Sequence, residues 1–236
     1  MKLYDAHSHL HFPENADALR ALAGNSDLRV CDCAVSEKDL DDLRGAAQFS
    51  RGVILPAYGI HPLYIPRHVR DFPKEELAEF LNGAAALGEV GLDKKADTDY
   101  ETQKECFEIQ LDMALAFGLP AVLHCRGAWG DMLEILKARP LPRGVLVHAA
   151  NCSPEIAREL LPLGAVFSFG MRELGGLKGL NCAASLPVER ILIESDADSD
   201  KALLEETLST IADLKGENID DAARIIEDNF LRFFNV

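Results

Sequence analysis

The stretch Leu119-Pro120-Ala121-Val122-Leu123-His124 contains the pattern that determines the fold of this chain. Leu119-Pro120 follows a predicted helix and opens a short apolar run, which predicts a strand. The run ends at His124, a polar residue at the place where a buried strand stops. A strand that delivers a polar side chain at its carboxyl end is typical of parallel sheets with a functional site at that edge.

The same unit recurs along the chain: an apolar run, a polar turn and a longer amphipathic stretch that predicts a helix. The runs are Lys2–Ala6, Leu28–Val35, Gly52–Gly59, Ala85–Val90, Pro120–His124, Gly144–His148, Ala165–Phe169 and Arg190–Ser195. Eight such units in 236 residues match the size of a (β/α)8 TIM barrel. No compositional break divides the chain, so we expect one domain over residues 1–236. A doubly wound open sheet would alternate in the same way, and only the position of the polar residues favours the barrel.

Helix boundaries are predicted from local capping chemistry. Thr98-x-x-Glu101 resembles a capping box, and Gly118 is placed to end the helix that follows it. Ser153 before Pro154 predicts another helix start, because the serine can cap and the proline has no N–H to leave unpaired.

The chain carries 39 acidic against 24 basic residues, a formal net charge of −15. This excess argues against broad binding to duplex nucleic acid, which depends on Lys and Arg near phosphates. No apolar run approaches the roughly 20 residues that cross a bilayer, and no signal pattern opens the chain. We therefore expect a cytoplasmic protein that does not bind membranes and whose six cysteines are reduced thiols.

Six imidazole and carboxylate side chains follow the predicted strands. They are His7, His9, Glu89, His124, His148 and Asp196. The carboxyl ends of all strands in a barrel meet at one mouth, so five separate segments would deliver these groups to one place. A single histidine at a strand end is more often a hydrogen-bonded structural residue, but packing does not explain the whole set.

Imidazole and carboxylate ligands without thiolate predict a site for divalent metal ions. Two ions would bring four positive charges against two negative charges from Glu89 and Asp196, so the centre would attract an anionic or carbonyl substrate. The predicted cofactors are two divalent ions, with zinc, manganese, magnesium, nickel and iron as the candidates.

With these residues in view, the sequence resembles the TatD family of metal-dependent hydrolases within the amidohydrolase superfamily. The resemblance covers nearly the whole chain. It rests on Asp5-Ala6-His7-Ser8-His9-Leu10, Gly59-Ile60-His61-Pro62, Gly88-Glu89-Val90-Gly91-Leu92-Asp93, the helix from Gln103 through Gln110 to Leu119-Pro120, His124 with Arg126 and Ala128, His148, Glu194-Ser195-Asp196 and Asn229-x-x-Arg232-x-Phe234.

The resemblance implies a binuclear centre in a (β/α)8 barrel and hydrolysis of phosphoester bonds by metal-activated water, as in a nuclease or phosphodiesterase. One ion would be held by His7, His9, Glu89 and Asp196, and the second by Glu89, His124 and His148, with Glu89 bridging. Asp196 and Glu89 would be catalytic as well as ligating. His61 and Arg126 are candidates to bind substrate oxygens, although His61 could instead shape a turn and Arg126 could pair with an acid.

The loops around the predicted pocket depart from the family pattern. Ala149-Ala150-Asn151-Cys152 follows His148, Ala197-Asp198-Ser199-Asp200 follows Asp196, and Lys94-Lys95 replaces a commonly aromatic pair. We therefore expect the substrate to be a small phosphorylated molecule or a nucleic-acid end. Amide or lactone hydrolysis at the same centre, and a barrel that binds without catalysis, stay open as alternatives. His11, His68, Lys94 and Lys95 are predicted to face solvent, and Glu194 to orient a ligand.

Overall fold

The computed structural model describes residues 2–197 and 199–236. Over these residues the chain forms eight strands: β1 (Leu3–Ser8), β2 (Leu28–Cys33), β3 (Ile54–Tyr58), β4 (Ala86–Asp93), β5 (Ala121–Arg126), β6 (Val145–Val147), β7 (Val166–Phe169) and β8 (Ile191–Ile193). Each strand pairs in parallel with the next, and β8 pairs with β1. The predicted (β/α)8 barrel is confirmed, and the open-sheet alternative is wrong.

Helices surround the barrel. Within the described residues they are α1 (Ala16–Leu22), α2 (Leu40–Phe49), α3 (Lys74–Leu81), α4 (Tyr100–Phe117), α5 (Trp129–Ala138), α6 (Pro154–Leu160), α7 (Met171–Leu174), α8 (Leu177–Ser185), α9 (Lys201–Lys215) and α10 (Ile219–Phe234). The core fills the barrel and the space beneath the helices, where Phe107 of α4 and Phe230 of α10 are fully buried. Among the described residues, no helix combines the length and apolar character needed to span a bilayer.

Each of the eight predicted runs overlaps a strand, but three predicted strand ends are too early. The structure continues β1 beyond Ala6 to Ser8, β4 beyond Val90 to Asp93, and β5 beyond His124 to Arg126. Pairing shifts register between Asp5 and Ser8 of β1 and between Leu87 and Val90 of β4, the stretches that contain His7 and Glu89. By contrast, β6 and β8 end at Val147 and Ile193, before the predicted ends of their runs at His148 and Ser195.

Two of the three capping predictions are confirmed. Gly118 ends α4 in the left-handed conformation at φ +65°, and the Ser153 side chain caps α6. The capping box at Thr98 is wrong: Asp99 caps α4, its carboxylate accepting from the Thr102 backbone N–H at 3.0 Å. Asp99 stands directly before the first turn, where a carboxylate is among the strongest caps.

Gly91 allows β4 and β5 to approach each other closely. Its φ is +150°, and a Cβ atom on it would lie 1.9 Å from the carbonyl oxygen of His124. This contact is with backbone, so it cannot be relieved by a side-chain rotation. Any larger residue would push β5, and with it His124, away from β4.

We expect Gly91→Ala to lower the free energy of unfolding by about 3 kcal/mol or more, because overpacking and a disfavoured φ act together. Gly45→Ala is the matched control: Gly45 lies in α2, and nothing stands within 4 Å of its added Cβ. The control should stabilise the protein by about 0.5–1 kcal/mol. Urea denaturation of both variants checks this, and equal stabilities would contradict it.

His11 was predicted to face solvent, and this is wrong. Its side chain is buried between two carboxylates, with Nδ1 3.1 Å from Asp32 Oδ1 and Nε2 3.2 Å from Asp39 Oδ2. Burial alone would lower the pKa of His11, but the two carboxylates outweigh it and raise the pKa to about 9. The imidazolium thus joins the segment after β1 to β2 and to the turn before α2.

This arrangement predicts a pH dependence of stability. Because the pKa of His11 is raised from 6.5 to about 9 on folding, its contribution is fully present below pH 6.5 and is lost as the pH rises to about 9. We expect His11→Gln to destabilise metal-free protein strongly at pH 6 and much less at pH 9.5. Thermal unfolding of both proteins across this range is the measurement, and a stability difference independent of pH would contradict the charged assignment.

Candidate metal centre

A cleft of about 480 Å³ opens at the carboxyl ends of the strands. Five of the six predicted ligands line it: His9, Glu89, His124, His148 and Asp196. The sixth, His7, is fully buried beneath the cleft and stacks on His148 at a ring-centroid distance of 3.9 Å. The fold therefore brings together all six residues from β1, β4, β5 and the segments after β1, β6 and β8.

Glu89 lies at the centre of this set, with its two oxygens facing different histidines. Oε2 is 3.4 Å from His7 Nε2 and 3.6 Å from His9 Nε2. Oε1 is 2.9 Å from His124 Nδ1 and 2.8 Å from His148 Nε2. A carboxylate that offers one oxygen to each of two nitrogen pairs has the arrangement needed to bridge two ions.

Asp196 completes the group on the Oε2 side. Its Oδ1 is 3.4 Å from His7 Nε2 and 3.6 Å from His9 Nε2. Its φ of +54° is a left-handed conformation that non-glycine residues rarely adopt. Such conformations concentrate at functional sites, where the surrounding structure imposes them.

On the Oε2 side of Glu89 the distances of 3.4 and 3.6 Å fit a shared ion better than direct hydrogen bonds, whereas the distances of 2.9 and 2.8 Å at Oε1 are those of hydrogen bonds. Two ligand atoms that bind one tetrahedral ion with bonds of about 2.0–2.2 Å lie roughly 3.4 Å apart. Within the part of the chain that the structure describes, His7 Nε2 and His148 Nδ1 are buried and have no hydrogen-bond partner of acceptable geometry. Burying unpaired polar atoms is costly, and a metal ion would satisfy His7 Nε2.

Three combinations of side chains place one ligand atom each within 4.8 Å of one another: His7, His9 and Glu89; His7, His148 and Asp196; and His61, Glu89 and His124. The first falls within the ligand set predicted for one ion. The third contains His61, which the sequence assigned to the substrate. The donors therefore fit divalent metal, and the distribution of ligands between ions stays a prediction.

Hydrogen bonds at the far side of each ring indicate which nitrogen faces the centre. His9 Nδ1 is 2.9 Å from the Cys33 carbonyl oxygen, which can only accept, so His9 presents Nε2. His124 Nε2 lies 3.4 Å from Asp93 Oδ2, so His124 presents Nδ1. The buried Asp93 thus orients a predicted ligand.

His61 has the opposite arrangement. Its Nδ1 accepts from the Leu63 backbone N–H at 3.1 Å, so the proton of the neutral ring sits on Nε2. That nitrogen is 3.5 Å from Glu89 Oε1. Burial lowers the pKa of His61 to about 4, despite the opposing effect of Glu89. The ring therefore points an N–H donor into the cleft while it also shapes the turn before Leu63.

Both central carboxylates are held in the charged form. Burial on its own would raise the pKa of Glu89, but His148 and His7 outweigh it and hold the pKa well below the usual range. Asp196 behaves in the same way, with His7 lowering its pKa against the effect of burial. Charged oxygens are therefore ready to bind cations.

Asp5 fixes the segment that carries Asp196. The Asp5 carboxylate is fully buried and accepts from the hydroxyls of Ser195 at 2.6 Å and Ser199 at 2.7 Å. Its other oxygen accepts from the backbone N–H groups of Ser195 and His7. One side chain at the base of the site thus ties β1 to the loop after β8.

Glu194 has a similar role on the opposite side. It is fully buried, accepts from the Ala149 backbone N–H at 2.7 Å and from the Ser168 hydroxyl, and places Oε1 3.8 Å from His148 Nδ1. This position agrees with its predicted orienting role. The backbone of Ala149 is itself left-handed at φ +43°, which turns the chain sharply after His148.

Two glutamine amides on α4 hold the backbone beside the site. The Gln110 side chain bonds both the N–H and the carbonyl of Ile60, at 2.8 and 3.1 Å. The Gln103 side chain does the same with Asp93, at 2.9 and 3.0 Å. The helix thereby fixes the segments that precede His61 and end β4.

The cleft also contains two arginines. Arg126, predicted to bind substrate, is exposed at the end of β5, and Arg172 follows β7. Arg172 was not among the predicted site residues, although it follows a predicted strand, as the ligand candidates do. Lys94, Lys95 and His68 are exposed as predicted.

Comparisons with known proteins agree with this geometry. A family model described as TatD related DNase matches residues 4–235. The chain is 27% identical to the uncharacterized metal-dependent hydrolase YcfH of Escherichia coli K12, over all of this chain and 97% of that protein. It is 29% identical to YabD of Bacillus subtilis, also named an uncharacterized metal-dependent hydrolase, over 78% of each chain.

Among solved structures, the fold is similar to that of YjjV, a TatD homologue from E. coli K12. The TM-score is 0.86 at 23% identity, and the match covers 99% of this chain and 98% of YjjV. A family match over nearly every residue, together with a barrel whose mouth gathers the metal-ligand candidates, leads to one conclusion. The chain belongs to the TatD-related DNase family.

Proposed function

We propose that this protein hydrolyses phosphoester bonds in a small phosphorylated molecule or at a nucleic-acid end, with two divalent ions as cofactors. One observation carries the proposal. The two oxygens of Glu89 face separate pairs of histidine nitrogens, which come from β1, β5 and the segments after β1 and β6. A bridging carboxylate of this kind suits a pair of ions acting on one phosphoryl group.

The charge of the cleft favours an anionic substrate over a neutral amide. Three carboxylates and two arginines line it: Glu89, Asp93, Asp196, Arg126 and Arg172. These side chains together carry one negative charge, and two divalent ions would turn that into an excess of three positive charges. A phosphoester is attracted by such a field, even though the whole chain carries −15.

The size of the cleft supports a small substrate. Its volume of about 480 Å³ lies within the roughly 300–1,000 Å³ of small-molecule sites. An extended duplex would also meet the acidic surface outside the cleft. A mononucleotide-sized group, either as a free molecule or at the end of a nucleic-acid strand, would fit the volume of the cleft and would not extend over the acidic surface outside it.

Bound divalent ions lower the pKa of water and stabilise negative charge on phosphoryl oxygens. The protein's own groups have separate tasks. Asp196 directs Oδ1 towards His7 and His9, which leaves Oδ2, 3.6 Å from Arg172 Nη2, to accept the proton of the attacking water. His61 donates its Nε2–H to a substrate oxygen, and the planar guanidinium of Arg126 binds the phosphate from the β5 side.

We expect purified protein to contain about two divalent ions per chain. The Asp196→Asn variant should keep most of the metal, but its kcat should fall at least 10²-fold, because the proton acceptor is lost. Elemental analysis and a screen of phosphomonoesters, phosphodiesters, lactones and dipeptides check this. Full activity in metal-free protein would contradict the mechanism. Turnover of only lactones or dipeptides would contradict the substrate class, and tight phosphoester binding without turnover would indicate a binding protein.

A second prediction tests whether His61 donates a hydrogen bond to the substrate or binds a metal ion. His61→Ala removes the donor and should leave the metal content unchanged while kcat falls by about 10²-fold, the usual cost of one lost donor to a charged oxygen. His124→Ala should instead lower the metal content, since His124 directs Nδ1 to Glu89. Metal content and kcat are measured on the same preparations. Metal loss in His61→Ala equal to that in His124→Ala would show that His61 is a ligand.

A further inference from the structure

Arg172 stands at the rim of the cleft, on α7 directly after β7. Its Nη2 is 3.6 Å from Asp196 Oδ2, the oxygen of Asp196 that does not face the histidines. The side chain is 73% exposed, so the rest of the guanidinium is open to the cleft. A positive group thus lies beside the reacting centre without being buried in it.

The guanidinium is held in place from behind. Its Nε is 2.8 Å from Oε1 of Glu173, a side chain that is itself buried. The other oxygen of Glu173 accepts from the Gly170 backbone N–H at 3.3 Å, which fixes the carboxylate at the start of α7. Arg172 is therefore anchored through Nε. Its Nη2 faces Asp196 Oδ2 at 3.6 Å, which is longer than a hydrogen bond, so among the described residues both Nη groups stay available as donors to a planar or tetrahedral anion.

Arg172 and Arg126 lie on different sides of His148. Arg126 ends β5, Arg172 follows β7, and β6 between them leads into His148. Glu173 pairs with Arg172 only through Nε, and Asp196 Oδ2 lies beyond hydrogen-bond distance of Nη2, so neither carboxylate occupies the Nη donors. Two cationic groups set apart in this way suit a substrate with two anionic groups.

We propose that Arg172 binds a second anionic oxygen group of the substrate, a carboxylate or a further phosphate, next to the phosphoester that is cleaved. This inference rests on the proposed function and narrows its substrate class to molecules with at least two anionic groups. It makes Arg172 a specificity residue that contacts the non-reacting part of the substrate.

The test is a binding comparison between matched probes. Glycerol 3-phosphate and 3-phosphoglycerate differ by a carboxylate, and fructose 6-phosphate and fructose 1,6-bisphosphate differ by a phosphate. Dissociation constants are measured by calorimetry on metal-loaded protein at low temperature, with phosphate release followed in parallel. Arg172→Gln is the test variant, since glutamine can still donate to Glu173. Arg158→Gln, at an exposed position of α6, is the charge-matched control.

We expect wild-type protein and the Arg158→Gln control to bind at least one two-anion probe about tenfold or more tightly than its one-anion partner, the effect of one charged hydrogen bond. Arg172→Gln should abolish that preference and leave the affinity for the one-anion probes unchanged. Equal weakening of one-anion and two-anion probes would overturn the inference, because Arg172 would then bind the reacting phosphate or position Asp196. No change in either would also overturn it.

Binding and turnover report on separate claims. Hydrolysis of phosphoesters without any preference for two anions would contradict this inference and leave the proposed function standing. A clear preference that depends on Arg172, without hydrolysis of any phosphoester, would contradict the proposed function instead.

Discussion

A charged carboxylate in the interior of a protein must be compensated, and Glu89 imposes that constraint on this barrel. Its side chain is almost completely buried, and five imidazoles, those of His7, His9, His61, His124 and His148, lie within 3.6 Å of its oxygens. An isolated buried charge would cost several kcal/mol. Histidines on β1 and β5 and after β1, β3 and β6 can reach one carboxylate only if the sheet closes. The site and the closed barrel therefore depend on each other.

The groups behind these imidazoles matter as much as the imidazoles themselves. The Cys33 carbonyl, Asp93 and Glu194 face the outer nitrogens of His9, His124 and His148. Asp5, with the serine hydroxyls around it, holds the loop that carries Asp196. Such partners fix the tautomer and the direction of each ring. They are polar and buried, so their positions are set by hydrogen bonds to backbone rather than by hydrophobic packing.

The sequence alone predicted the barrel and the proximity of the six ligand candidates. Both follow from strand periodicity and from the common direction of parallel strands. The sequence was insufficient where partners are distant in sequence. The burial of His11 depends on its contacts with Asp32 and Asp39, and no local sequence pattern predicts those contacts. The exact strand ends depend on register shifts in β1 and β4. The donor tautomer of His61 likewise follows from a three-dimensional contact, the Leu63 N–H.

The two glutamines of α4 have a consequence for how this enzyme can change. Gln103 and Gln110 lie on one helix face, about two turns apart, and each holds a backbone segment next to the cleft through paired bonds. An outer helix thereby sets the separation between the end of β4 and the turn that bears His61. Mutations that shift or rotate α4 would therefore move the end of β4 and the turn that bears His61 together. Substitutions in the loops after β6, β7 and β8 would therefore change the substrate preference more readily than repacking of α4 would.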